Sequence, residues 1–405
     1  MRPITLTTAA IAGAAALTLS ACGGSGTSRV AEGGADSVNL TVTTTIGGPD
    51  NYHNVPIDAF FTAVEEASDG RLTYDFSYAN AIVPPAEVGS SMADATVDSG
   101  LVVTSYNPSE FPISNWASKL AFAGEAGPPV SALDRAAAVT DWWYSHPEAM
   151  QSDFNDQGLM PLTPGYNAHT TYHLICTEPI TSLADAQGKS VRSPGEAWAE
   201  TATAIGMEPV SLPGAEMYEA LQRGIVDCVM ADATDMVSSD LTEVAKHYTS
   251  VNLPGFTAYG IFVSQQTWDS LDPELQSIIW EQIPVYLESL THEGLKLQEA
   301  LLETSGMEFH TMDDDLADAL TDHQQSVLDK AAENAPDTLA DPQAAVDSFV
   351  ELHDKWGGIV SEDLGIEPYD SWADWHDAGG TADDIDAGGF AQRVYDDVYA
   401  DAIPQ

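Results

Sequence analysis

Positive charge is what this chain has least of. Thirteen lysines and arginines face 63 aspartates and glutamates in 405 residues, a formal net charge of −50. Nucleic-acid binding needs a basic footprint, so that class of function is excluded. A uniformly acidic surface serves solubility in a demanding ionic medium rather than marking a site for cations. Nucleotide-binding glycine patterns are missing: the sequence has no GxGxxG and no P-loop. GxSxG and HExxH are missing too, so these two hydrolase signatures give no support to an enzyme. No cofactor is expected.

Two metal patterns fail on inspection. "DFNDQG" (153–158) opens like a calcium loop, but Gln157 holds position five and Pro164 stands where the twelfth-position glutamate is needed. His169 and His173 are four apart in a segment that reads as extended, which separates them by roughly 13 Å. They read as ordinary polar strand residues, and no metal site is expected.

Apolar material is ample, at 44% hydrophobic and 8% aromatic, so high charge does not mean disorder. The length favours more than one domain. Near the N-terminus, Arg2 precedes "ITLTTAAIAGAAALTL", a run too short to span a bilayer comfortably, which ends in Leu19-Ser20-Ala21-Cys22. That ending looks like a lipobox. The expectation is a lipoprotein signal over 1–21, lipidation at Cys22 and a flexible tether over 22–37; the alternative is an ordinary signal peptide containing a cysteine. No later run is long enough to cross a membrane, which places the rest outside the cytoplasm. Cys176 and Cys228 then remain, either as a disulfide closing a loop of about 52 residues or as buried thiols.

The periodicity predicts an α/β architecture. "VNLTVTTTI", "RLTYDFSY" and "LVVTS" read as strands separated by helices, the first helix capped by Asn54. The order recurs in "TYHLICT", "KSVR", "EPVSL" and "IVDCVM". Two such units predict two lobes with parallel sheets. After about 265 the pattern is helical, with Pro284 as a break, and the acidic tail carries Trp356, Trp372 and Trp375 to pack on a lobe.

The most informative junction is "GKSVRSPGEAW" (188–198). Arg192 closes a strand immediately before a helix start, where Ser193 and Glu196 have capping-box spacing and Pro194 suits the first helical position. Ligands of open α/β sheets bind outside the carboxyl ends of strands. A helix N-terminus there favours an anion, and guanidinium matches a carboxylate. The competing reading pairs Arg192 with a nearby acid such as Glu196. Strand-end loops also offer Tyr52, His53 and Asn54 after the first strand, and Ser105 and Tyr106 after the third. Trp198, one turn into the helix, either walls the pocket or packs in the core. Tyr218 reads as structural.

From Asp185 onward the sequence resembles the substrate-binding proteins of TRAP transporters, the DctP-like family. The matching pieces are "DAQGKSVRSP", "GMEPVSLP", "EMYEALQRGIVD", "LTEVAKHYTSVNLPG" and "WDSLDPELQ", and the resemblance runs over roughly 38–310. It implies a two-lobed periplasmic-binding-protein fold, with a ligand cleft between the lobes and a long helix spanning them. The expected division is 38–165 plus 255–290 in one lobe and 166–254 plus 291–405, with the helical tail, in the other. The implied function is capture of an organic acid outside the cytoplasm and its delivery to a TRAP membrane permease, the protein being membrane-attached through its lipid anchor alone. An ABC-type binding protein, a ligand sensor and an exported enzyme are the rivals.

The family's carboxylate-binding arginine falls on Arg192. Gly214 stands where many members place a ligand-packing phenylalanine, and Tyr172 where sialic-acid binders place a second arginine. Val229-Met230-Ala231 replaces a Q-E-N segment, putting Met230 at the site in place of polar side chains. These departures imply a roomier, less polar site for one carboxylate on an apolar or aromatic body.

Overall fold

The computed structural model describes residues 37–45, 47–79, 81–124, 127–167, 172–257 and 259–403. The signal segment, Cys22, the tether up to residue 36, and His169 lie outside the described residues.

Two sheets organise the chain. The first contains β1 (Val38–Thr43), β2 (Leu72–Ser77), β3 (Ser99–Val103), β4 (Leu159–Pro161) and β10 (Tyr259–Ser264), in the order β2-β1-β3-β10-β4. The second contains β5 (His173–Cys176), β6 (Ser190–Ser193), β7 (Glu208–Ser211), β8 (Cys228–Ala231), β9 (His247–Thr249) and β11 (Glu308–His310), in the order β11-β9-β5-β8-β6-β7. The resulting α/β architecture has two lobes, as the sequence implied.

Neither sheet is purely parallel, contrary to expectation. In the first, β1 pairs in parallel with β2 and β3, but β10 runs antiparallel between β3 and β4. In the second, β6 is parallel to β7 and β8, while β5 runs antiparallel between β8 and β9. The reversals arise where the chain crosses between lobes, because each crossing strand enters its new sheet from the cleft side. β10 is buried at all six positions, and Gly260 permits its fit: a Cβ there would meet the Thr163 carbonyl oxygen at 2.1 Å.

Apolar periodicity fills a core in each lobe, the first lobe carrying a further cluster around Val102, Trp142 and Phe262 on the other face of its sheet. Leu40 and Val42 of β1 meet Ile57 and Phe60 of the Asn54–Ala67 helix in the first. Leu174, Val191, Val229 and Met217 form the second. Helix Pro273–Glu281 stops before Pro284, which sits in the first turn of the next helix, Ile283–Glu303. That 21-residue helix spans the lobes: Tyr286, Leu287 and Leu290 enter the first core, Leu301 the second.

The tail departs from the expected division. Residues beyond 341 pack on the first lobe, not the second. Trp356, Trp372, Trp375, Phe390 and Tyr399 are buried in the first lobe's core. Trp356 Nε1 donates to Asp141 Oδ2 at 2.9 Å, and Trp280 Nε1 donates to the Tyr399 carbonyl at 2.9 Å. The helices around the first sheet leave an apolar flank that the tail covers. Cys176 and Cys228, directly opposed on β5 and β8, are joined by a disulfide. No helix among the described residues is long and apolar enough to cross a membrane.

Candidate ligand-binding site

The site lies between the lobes, where strand ends of both sheets converge. Tyr52 and His53 come from the loop after β1, Tyr106 from the turn after β3, and Tyr259 opens β10. Opposite them stand Tyr172 ahead of β5, Arg192 on β6, Gly214 after β7, and Asp232 and Asp235 after β8. With Val103 and Phe256 these residues line a narrow cavity between the lobes.

Backbone carbonyls hold Arg192 in place. It is 2% exposed; Nε donates to the Leu212 carbonyl at 2.9 Å and Nη1 to the Met230 carbonyl at 3.1 Å. These neutral acceptors fix the planar fork without neutralising it, and among the described residues Arg192 forms no ion pair. The reading that paired it with Glu196 is overturned. Glu196 faces the other lobe instead, its Oε1 2.8 Å from Lys119 Nζ and its Oε2 accepting from Asn115 Nδ2 at 2.9 Å. Nor does the expected capping box form. The helix begins at Glu196 with Gly195 as its cap, and the Ser193 hydroxyl donates to the Gly195 carbonyl.

Two carboxyls share the cavity with this cation. Asp232 caps the Ala233–Ser238 helix, accepting from Asp235 N at 2.9 Å. Burial, then the neighbouring Asp232, push the Asp235 carboxyl up to about 7, opposed by Arg192 and by the hydrogen bond from Tyr172. Burial also raises the Tyr52 and Tyr172 phenols well above their usual range, with Asp232 and Asp235 adding to it, so both remain protonated donors. His173, by contrast, is pushed down to about 3 by burial and accepts the Val251 N–H on Nδ1, a neutral imidazole inside the second lobe.

Rings complete the wall. Phe256 stacks with Tyr259 at 5.8 Å between centroids and meets Tyr172 edge-on at 5.5 Å. Tyr52 and His53 are 3.8 Å apart by the same measure, and Tyr259 Oη bonds to His53 Nδ1. The lobes also touch directly. Tyr106 Oη accepts the Gly214 N–H at 3.3 Å, and Ser105 Oγ donates to the Pro194 carbonyl at 3.1 Å.

The structure thus brings Arg192, Tyr172, Tyr52, His53, Tyr106 and Gly214 to one cavity. The remaining expected residues stand apart from it. Ser105 makes the interlobe contact. Trp198 is 1% exposed behind Tyr172 and Phe256, 5.6 and 4.9 Å away by ring centroids, because its helix turns that face inward. Asn54 starts its helix, with Nδ2 donating to the Gly48 carbonyl. Met230 is buried in the second core and gives the site a carbonyl rather than a side chain; β8 ends one residue later, at Ala231, so Asp232 is the cavity residue there. Sequence reasoning missed Asp232, Asp235, Phe256 and Tyr259. The first two carried a signal, an Asx cap directly after a strand, which is the same strand-end pattern that exposed Arg192.

Known proteins share this organisation. The family described as bacterial extracellular solute-binding protein, family 7 (DctP), matches residues 49–337. The C4-dicarboxylate-binding periplasmic protein DctP of Rhodobacter capsulatus is 28% identical over 173 residues, covering 41% of this chain and 52% of that protein. The chain therefore spans about half the length of the curated relatives it matches. Among solved structures, a marine metagenome TRAP solute-binding protein specific for pyroglutamate aligns with a TM-score of 0.66 at 19% identity, covering 78% of this chain and 99% of that one. A TRAP periplasmic solute-binding protein from Bordetella bronchiseptica with bound mandelate gives 0.64 at 22% identity, with coverage of 78% and 99%. At such identities the structures establish the two-lobed fold, while the family match rests on sequence across most of the chain: this protein is a member of family 7 of the bacterial extracellular solute-binding proteins.

Proposed function

We propose that this protein captures a small organic acid outside the cytoplasm and delivers it, unchanged, to a TRAP-type membrane permease. The carrying observation is Arg192: a buried guanidinium, oriented by two carbonyls and free of any ion pair among the described residues, facing a cavity lined by both lobes. A ligand carboxylate would take its remaining N–H groups while Tyr52, Tyr106 and Tyr259 close over the ligand body. Contacts from both lobes favour the closed form, and that differential affinity drives hinge closure. The relatives named for C4-dicarboxylate, pyroglutamate and mandelate support a carboxylate as the common element. Lipidation at Cys22 would keep the receptor beside its permease.

The test is calorimetric. A thermal-shift screen of dicarboxylates, pyroglutamate, mandelate and hydroxybenzoates comes first, since ligand at a hundred times Kd adds about 2.7 kcal/mol of stability. Arg192→Lys should then weaken the best ligand about tenfold or more, because charge-assisted hydrogen bonds are worth roughly 1.5–3 kcal/mol each. An unchanged Kd sinks the assignment, and conversion of the ligand during incubation sinks the claim that it is delivered unchanged.

A second reading of the ligand rests on Asp232 and Asp235. Their carboxyls beside a ring of tyrosines suit an acid that also bears a cationic nitrogen. Such a ligand would lose affinity in Asp235→Asn, whereas a simple acid would gain it.

A further inference from the structure

The outer edge of the second sheet gathers a different set of side chains. β11 pairs in parallel with β9, Glu308 opposite His247 and His310 opposite Thr249. Side chains alternate along a strand, so Glu308 and His310 lie on the face that carries His247. His247 Nδ1 is 3.1 Å from His310 Nε2 and 3.6 Å from Glu308 Oε2. One donor atom from each of the three lies within 4.8 Å of the others.

A ring-to-ring hydrogen bond accounts for the first distance alone. It leaves the carboxylate, aimed at the same nitrogen, beyond hydrogen-bonding range. A cation shared by the two imidazoles and the carboxylate accounts for their convergence. With metal–donor bonds of about 2.0–2.1 Å, tetrahedral coordination separates neighbouring donors by roughly 3.3 Å, and the observed pair of distances brackets that spacing.

We propose that His247, Glu308 and His310 bind a first-row divalent cation of the zinc type, with water completing its coordination. Two imidazoles and one carboxylate form a donor set suited to zinc and its neighbours, whereas calcium and magnesium take oxygen ligands. The acidic surface attracts any cation; the two imidazoles supply the selectivity.

This site is separate from the ligand cavity. His247 pairs with Cys176 at the far end of β5, while Tyr172, which lines the cavity, precedes the near end. Four positions along a strand amount to roughly 13 Å. The cation would bridge the sheet's edge: β11 is a three-residue strand whose sheet partner is β9 alone. Binding would clip the segment that follows the interlobe helix onto the second lobe.

The test uses the untagged chain after chelation and dialysis. Titration with zinc chloride should give saturable binding of one ion per chain, with cobalt(II) producing the visible bands of a low-symmetry, near-tetrahedral site. His247→Gln and His310→Gln should each weaken zinc about tenfold or more, and Glu308→Gln should weaken it measurably. Glu308 is largely solvent-exposed, with 63% side-chain accessibility, so its variant tests the site without risk to folding. Arg192→Lys should leave zinc affinity intact. Absence of saturable binding, affinity unchanged in both histidine variants, or calcium and magnesium matching zinc would each overturn the proposal.

Discussion

Lys119 of the first lobe reaches across the mouth of the cleft to Glu196, Nζ to Oε1 at 2.8 Å, and holds Glu200 of the same helix at 2.8 Å. The clasp joins the lobes, so it forms in the closed arrangement and contributes to the equilibrium that ligand binding shifts. Its partners are partly exposed, with Lys119 at 22% and Glu196 at 47% side-chain accessibility, and solvent screens them. Exposed pairs are worth about 0.2–1 kcal/mol. Lys119→Met should therefore weaken ligand binding by roughly two- to tenfold and flatten its salt dependence. Calorimetry at low and high salt checks this; a salt response equal to that of the unmodified protein refutes the clasp.

Asp235 ties affinity to pH. Its carboxyl rises from the ordinary 3.8 to about 7 in the closed cavity, chiefly through burial and then through Asp232. Opening would return it toward water and toward its ordinary value, so closure takes up a proton in the window between these values. The sign follows: closure is favoured as pH falls through about 7 and disfavoured as pH rises through it. A ligand carrying only carboxylate should bind more tightly as pH falls below about 7, by up to roughly tenfold per pH unit within that window. Asp235→Asn should remove that slope. Measuring Kd across this range in both proteins checks the prediction, and a slope of opposite sign favours the ligand with a cationic nitrogen.

The Cys176–Cys228 disulfide closes a 52-residue separation that contains β6, β7 and a large part of the second lobe's core, from Ile180 to Val226. On the chain-entropy relation such a loop is worth about 4 kcal/mol. Replacing both cysteines by serine should lower the melting temperature by several degrees, with the loss concentrated in the second lobe. Thermal unfolding with and without reductant checks it: reductant should mimic the double substitution in the parent and leave the variant unaffected. Equal melting in all four conditions would show that the bond contributes nothing to stability.

Local sequence made Arg192 legible because strand, cation and helix start fall within a few neighbouring residues. Its surroundings were less so. Ser193 and Glu196 have capping-box spacing, yet Glu196 turns to Lys119, whose place opposite it is set by folding. Asp232 lies in the same strand-to-helix pattern, whereas the Q-E-N segment of the resemblance singles out Met230, which is still inside β8. Phe256 and Tyr259 reach the cavity from the segment returning to the first lobe, and no local pattern tells which side chains of such a crossing face inward. β9 and β11 are three residues long, too short for periodicity to reveal them.

The tail was legible as helices but not in its destination, since an amphipathic helix names an apolar face without naming what covers it. The structure points to the first lobe through Trp356, which is fully buried and donates to Asp141 on the Val130–Ser145 helix, while Trp142 Nε1 of that helix donates to the Ala345 carbonyl at 3.0 Å. Truncating a buried tryptophan costs about 3–5 kcal/mol, and here it also leaves Asp141 with Lys355 as its remaining charged partner, at 2.7 Å. Trp356→Ala should therefore lower stability through the first lobe. Hydrogen exchange locates the effect: protection should fall in Val130–Ser145 and β1–β3, while β6 and β8, which hold Arg192, keep theirs. Loss concentrated in β6 and β8 instead would return the tail to the second lobe.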